Sequence, residues 1–531
     1  MSGKQRARRP LPDRAVRGPA CDGAQADVIA FLSRPDTYDR AIATVERIET
    51  HVSVVFLVGD RAYKLKRAVH FPYLDFSTLA LRAAACEAEV VLNRRTAPDI
   101  YKGVVQVVRD RAGRLRLGGE GTPVEALVEM VRFDQACLFD RLARAGALDR
   151  HLMADVAEAV ARFHGEAKVR NRDGGRAGIA DVLTSNAACF AELPGGLFER
   201  AKLDRLEAVS RRALEDRAPL LEMRRDGGFV RRCHGDLHLR NIFLSDGRPV
   251  VFDAIEFSEA LASIDVMYDL AFLLMDLDHH DLRGLANVVM NAYLDATADE
   301  DGVALLPLFL SVRAAVRAHV CAANALRASV SGEREALIRE ARAYLDMALG
   351  YLASEPARLV AIGGLSGTGK SRAARELGPL VGRAPGARVL RTDVIRKRLS
   401  GVGVHQRLDQ HGYAPAMTER TYGRLFELGK RALAAGQAVI ADAVFARPDQ
   451  RDAIALVARK AGVPFRELWL VAAPDVMVRR VGERSRNASD ATADIVELQL
   501  SYDLGAIEWD RVDSSGSRQD TMRKITGQVH L

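Results

Sequence analysis

The stretch Gly364-Leu-Ser-Gly-Thr-Gly-Lys-Ser371 constrains this 531-residue chain more than any other. It follows the apolar run Leu359-Val-Ala-Ile-Gly363 and precedes a helically patterned segment. A strand, a glycine-rich turn and a helix in that order let backbone N–H groups converge on phosphate oxygens at a helix N-terminus. Gly364, Ser366, Gly367, Thr368 and Gly369 are the cradle positions. Lys370 is expected to reach the β/γ-phosphates, and Ser371 to ligate Mg²⁺. The bland alternative is a glycine turn without function, and the flanking strand and helix argue against it.

The rhythm after residue 359 is apolar strand, loop, helix, repeated through "ARVLRTD", "QAVIADAVF" and "FRELWLVAA". That alternation predicts an α/β region with a parallel sheet. Asp393 closes "RVLRTD" on the sheet edge where ligands bind in such folds, and Arg396 follows one turn later. A helix N-cap is the other reading of Asp393. "RRVGERSRNASD" (479–490) is an arginine-rich segment, read as a lid or as a solvated helix face.

A second polar stretch, "CHGDLHLRNIFL" (233–244), has the spacing His234-Gly-Asp236-x-x-x-x-Asn241. Phosphoryl transfer needs a carboxylate near the attacking hydroxyl and ligands for the metal. Asp236 fits the first need and Asn241 the second, with Asp253 in "PVVFDAIEF" as a further metal ligand. Upstream, "VSVVFLVGDRAYKLKRAV" (52–69) reads as a hairpin turning at Gly59-Asp60. Lys64 on its second arm and Glu87 on the helix that follows are the expected nucleotide-gripping pair, with Lys66 on the same strand face as the alternative lysine. Strands first and helices from about residue 150 predict an α+β bilobal region.

Composition narrows the classes. The net charge is +7, mild for this length, and much of it sits in residues 1–18, where Lys4, Arg6, Arg8, Arg9, Arg14 and Arg17 face only Asp13. The expected organisation is a disordered basic arm at 1–25, a first catalytic domain at 26–353, a linker at 354–358 and a second domain at 359–531. No stretch is expected to span a bilayer. None of the six cysteines forms a C-x-x-C pair, which fits reduced thiols in a cytoplasm. Cys233, beside the His-Gly-Asp motif, reads better as a small buried filler than as a nucleophile.

The second half resembles the small P-loop kinases: gluconate kinases, zeta toxins and the kinase domain of phage polynucleotide kinase. The resemblance implies that Asp393 activates the acceptor hydroxyl and that Arg480 and Arg484 stabilise the transferring phosphate. The first half resembles the aminoglycoside phosphotransferase branch of the protein-kinase-like fold, to which "YDLAFLLMDL" (268–277) adds Asp269. "ETHVSVVFLVGD" and "YKLKRAVHFPYLDFST" are similar to a bacterial family that fuses such a kinase to a P-loop kinase. The departures are "THVS" (50–53) in place of a glycine-rich loop and Asp-Ala-Ile at the metal motif.

The implied function is a bifunctional ATP- and Mg²⁺-dependent phosphotransferase acting on hydroxyls of small molecules. The alternative is a ligand-sensing pseudokinase regulating a P-loop ATPase or a nucleic-acid 5′-hydroxyl kinase. Residues 281–350 hold nine Asp/Glu and seven Arg, no acidic bias of the kind a polycation would require. Arg313 and Arg317 share a helix face and suit an anionic acceptor, or else salt bridges to nearby Glu.

Overall fold

A computed structural model describes residues 22–38, 44–71, 74–404, 406–483 and 489–529. Two compact units emerge, Met1–Gln135 with Val251–Ala262, and Ala136–Val250 with Ser263–Leu531. The expected arm lies outside the described residues as far as residue 21, and helix α1 (Asp22–Leu32) begins inside its predicted 1–25 span.

In the first unit a six-stranded sheet is built from β1 (Glu46–Glu49), β2 (Ser53–Val58), β3 (Arg61–Lys66), β4 (Tyr101–Arg109), β5 (Leu115–Leu117) and β6 (Thr122–Val131). Its strand order is β1-β2-β3-β6-β4-β5. The predicted hairpin is β2–β3, which pairs Val58 with Arg61 across Gly59, whose φ of 55° suits a two-residue turn. Val28, Phe31 and Leu32 of α1 pack with Val54, Phe56, Leu65 and Leu127 in the core.

Helix α2 (Leu79–Asn93) is capped by Thr78, whose side chain accepts from the Leu81 amide. Its position on the sheet is set by buried polar groups. Arg82 donates from Nε and Nη2 to Glu125 of β6, and Gln25 of α1 donates to both Glu125 and the Lys66 carbonyl. Such a pair adds little net stability but fixes register, because a shift would leave charges buried and unpaired.

The second unit holds two parts. The first is helical: α3 (Arg150–Glu166), α4 (Gly175–Ala191), α5 (Arg200–Asp226), α6 (Val266–His279), α7 (Arg283–Thr297), α8 (Leu306–Arg327) and α9 (Ser331–Tyr351). Helix α6 is buried at every position from Val266 to Leu277, so it is the centre of this part. A short antiparallel ladder joins β7 (Val230–Arg232) to β8 (Ser263–Asp265) beside it. Against expectation, one segment among the described residues, Asp301–Arg327, is long and apolar enough by composition to cross a membrane; 72% of its apolar window is buried inside the fold, as a core helix would be.

The second part is a five-stranded all-parallel sheet of β9 (Leu359–Gly363), β10 (Arg388–Arg391), β11 (Val439–Asp442), β12 (Phe465–Val471) and β13 (Asp510–Asp513), in the order β10-β11-β9-β12-β13. Its helices include α10 (Lys370–Leu377), α11 (Thr392–Leu399), α12 (Pro415–Ala434), α13 (Pro448–Ala461), α14 (Pro474–Gly482) and α15 (Ala493–Leu500). Strand β9 is buried along its whole length because helices cover both faces. A region of sheet and helices is thus followed by an α/β region with a parallel sheet.

Candidate active sites

In the first unit, β3 aims Lys64 and Lys66 at one carboxylate of α2. That carboxylate is Glu89, a correction to the expected Glu87, which is exposed. Lys64 Nζ lies 2.9 Å from Glu89 Oε1 and 2.6 Å from Asp253 Oδ1. Lys66 Nζ lies 2.6 Å from Glu89 Oε2 and also pairs with Glu256. The helical stripe Ala85, Cys86, Glu89, Val90, Asn93 is buried, and Glu87 falls off it. Helical spacing from the apolar neighbours was therefore the signal for Glu89.

Burial alone would lower the Lys64 pKa, but Asp253 and Glu89 hold its ammonium well above the ordinary range. Burial likewise works against the Glu89 carboxylate, yet the two lysines bring it down to about 2. Asp253 adopts φ = 63°, rare for a residue with a Cβ. The turn is held by side chains that sequence reasoning missed: Tyr101 accepts from the Asp253 amide and Asn93 from the Ala254 amide. Strain held by several partners is characteristic of functional turns.

In the second unit, the polar loop leaves β7 and is fixed from below by α6. Asp269 accepts the His234 and Gly235 amides at 3.0 and 2.8 Å, and Asp276 accepts the Leu239 amide at 2.9 Å. Asn241 Nδ2 lies 3.0 Å from Asp236 Oδ2, so the loop brings these two expected residues together. His238 in the same loop places Nε2 3.2 Å from Asp236 Oδ2. Burial would raise the Asp236 pKa, but the charges of His238, His234 and Arg317 and the His238 hydrogen bond hold it below the usual carboxylate range. Its side chain is 41% exposed, so this carboxylate is both ionised and accessible.

His164, Cys233 and Asp269 gather their ligand-type atoms within 4.8 Å, but each is otherwise engaged. Asp269 holds the two loop amides, His164 Nδ1 meets the Tyr293 hydroxyl, and the Cys233 thiol donates to the Ile264 carbonyl.

Arg313 and Arg317 part company. Arg313 is buried, with its guanidinium 3.9 Å over the Tyr268 ring and 4.7 Å over Phe272. It is enclosed in the core rather than facing an acceptor, which corrects the expectation for the pair. Arg317 lines a cavity of about 20 Å³ with His238, Arg240, Asp276 and Tyr344, room for one water-sized molecule.

The glycine-rich loop joins β9 to α10. A Cβ on Gly364 would stand 2.4 Å from the Leu470 carbonyl oxygen, and one on Gly367 2.6 Å from that of Met477. Only glycine lets the loop close this tightly. Lys370 Nζ donates to the Leu365 carbonyl at 2.8 Å, Ser371 is half-buried in the first turn of α10, and Thr368 also bonds Leu365 O. Gln499 of α15, absent from the sequence reading, accepts the Ser366 amide at 2.7 Å. Arg480 of α14 donates to the Ser514 carbonyl and brings Nη1 within 3.8 Å of the Cβ position of Gly369. Burial and the charges of Arg372 and Arg479 lower its pKa, as in a crowd of cations suited to an anion. A phosphate chain with its cation fits this set of donors.

Asp393 sits in the first turn of α11, half-buried, while the N-cap position falls to Arg391. Arg396 is turned inward, donating to the Gly412 carbonyl and Thr418 Oγ1, under the Tyr413 ring. Arg484 lies outside the described residues.

Residues 55–306 match the model of the phosphotransferase enzyme family, and residues 359–502 match that of an AAA domain. An uncharacterised protein of Mycobacterium tuberculosis is 31% identical over 495 residues, 91% of this chain and 94% of its own. Among solved structures, an ethanolamine kinase of Plasmodium vivax is 12% identical, covering 62% of this chain and 95% of its own, with a TM-score of 0.39. A gluconokinase of Sinorhizobium meliloti is 18% identical over 33% of this chain and 92% of its own, with a TM-score of 0.24.

Proposed function

This chain belongs to the family of that mycobacterial protein and is a phosphotransferase, and from this premise we propose that it works at two sites, each transferring the γ-phosphoryl group of ATP to a hydroxyl of a small molecule. The observation that carries the reading is a pair of separate lysine settings. Lys64 is held between Glu89 and Asp253, and Lys370 is held in a glycine loop that tolerates no Cβ at Gly364 or Gly367.

When bound, ATP with Mg²⁺ supplies the transferable group and the charge that screens it. In the first unit, Lys64 is the better choice over Lys66, because it is the one that reaches Asp253. Lys64 would hold phosphate oxygens while Glu89 keeps its ammonium oriented. Asp253 would hold the cation there, a hard oxygen donor suited to Mg²⁺. In the second unit, Asp236 would orient the acceptor hydroxyl and take its proton on Oδ, and Asn241 would offer a further oxygen to metal. Arg317, whose charge helps keep Asp236 ionised, is the remaining candidate for recognising an anionic acceptor.

At the glycine loop, Lys370 and the amides of Gly367, Gly369, Lys370 and Ser371 would bind the phosphates, and Ser371 would hold the cation. Asp393 would take the acceptor proton, and Arg480, with Arg484, would offset the charge of the transferring group. Arg396, already engaged with Gly412 and Thr418, would shape the acceptor side rather than grip it.

The test is a screen of metabolite pools for ATP-dependent mass gain, using the full chain and its Lys64→Ala and Lys370→Ala variants. Two sets of phosphorylated products, each lost in one variant alone, is the expected outcome. Products lost only in Lys370→Ala would instead support a sensing role for the first domain.

A further inference from the structure

Among the described residues strand β10 is an edge of the parallel sheet, and one row of its backbone groups has no strand to pair with. The inward groups are satisfied by β11, as the Arg388 amide donates to the Ala438 carbonyl. Outward groups at the start of the strand and just before it are met by side chains of α7, from the helical part of the same unit. Asn291 Oδ1 accepts the Val389 amide at 2.7 Å, and the Ala387 carbonyl accepts from Asn287 Nδ2 at 3.0 Å and Asn291 Nδ2 at 3.1 Å. Asn287, Asn291 and Asp295 lie at spacing i, i+4, i+8, one face of the helix.

Charged side chains also meet along this seam. Arg388, 1% exposed, donates to both oxygens of Glu300, 0% exposed, and to Asp295 Oδ1 at 2.8 Å. The glycines opposite leave room for Asn287. A Cβ on Gly378 would come within 2.6 Å of Asn287 Oδ1, and one on Gly386 within 2.9 Å of its Nδ2. A parted seam would break the Arg388 pairs with Glu300 and Asp295 and leave β10 as a bare edge, whereas removing Arg388 with the seam closed would strand a buried Glu300 carboxylate.

We infer that the P-loop part is a permanent intramolecular partner of the helical part, with Asn287 and Asn291 meeting backbone groups on the open side of β10 and Asp295 and Glu300 binding its Arg388 side chain. The P-loop part therefore does not work as a detachable module, and the strand that leads into Asp393 is fixed by residues of the other catalytic half. This association holds whether or not either proposed activity is correct.

The test uses the full chain with a protease site inserted between Ala353 and Arg358, where no helix or strand runs. After cleavage, the two fragments are expected to co-elute in gel filtration, in 1 M salt as well as in dilute buffer. Separation of the nicked wild type would overturn the inference. Nicked Arg388→Met should separate, whereas nicked Arg431→Ala, which loses only the exposed pair with Asp301, should not. A nicked Arg388→Met protein that stays together would show the seam to be unimportant. As a measurement free of any variant, hydrogen exchange at the Val389 amide of intact protein should be as slow as in β9. Fast exchange there would contradict the capped edge.

Discussion

Glu89 holds two ammonium groups with one carboxylate, and its side chain has no exposure to solvent. Truncating one member of a buried ionic cluster costs about 3–5 kcal/mol, because the charges left behind stay desolvated. Glu89→Ala should therefore destabilise the protein by that order in urea titrations and weaken nucleotide binding at the first site. Glu87→Ala, on the exposed face of α2, should change neither by a measurable amount. A second residue-scale expectation concerns His319 in α8, whose pKa burial lowers from 6.5 to about 4. The folded protein thus prefers neutral His319, so this contribution is complete above pH 6.5 and is lost as pH falls towards 4. The shift caps the contribution at about 3 kcal/mol. His319→Gln should make the urea midpoint fall less between pH 7.5 and pH 5 than it does in wild type; equal losses in the two proteins would refute the assignment.

Elements that carry their own periodicity were legible in the sequence, and those that depend on neighbours were not. The β2–β3 hairpin, α2 and the glycine loop between β9 and α10 were readable because turn chemistry and apolar spacing agree there. Strand β13 was not, since "DRVD" is four residues long and three are charged; pairing with β12 makes it a strand. Strand β1, "ERIE", is exposed throughout and is a strand through its pairing with β2. Of the candidate sites, the motif residues were readable, but Glu89, Asn93, Tyr101, His238 and Gln499 act through contacts distant in sequence. The glycine loop itself separates shape from charge. Gly367→Ala places a Cβ against the Met477 backbone at φ = 89°, so it should weaken nucleotide binding at the second site and lower the melting temperature together. Lys370→Ala should weaken binding at least tenfold with little change in melting temperature. Titration with a fluorescent ADP beside a thermal melt distinguishes the two.

At the scale of the whole molecule, chain order and compact units do not coincide. Residues 251–262, with Asp253 and Glu256, belong with the first 135 residues, while the helical part shares a unit with the parallel sheet. We propose that catalysis nonetheless divides as the sequence does, into a kinase-like domain at 26–353 and a P-loop domain at 359–531. Nucleotide stoichiometry measured by calorimetry on the full chain, with a non-hydrolysable ATP analogue and Mg²⁺, tests this most directly. The expected result is about two nucleotides per chain, falling to about one in Lys64→Ala and in Lys370→Ala. One nucleotide per wild-type chain, or a stoichiometry of two that survives both substitutions, would contradict the two-site account.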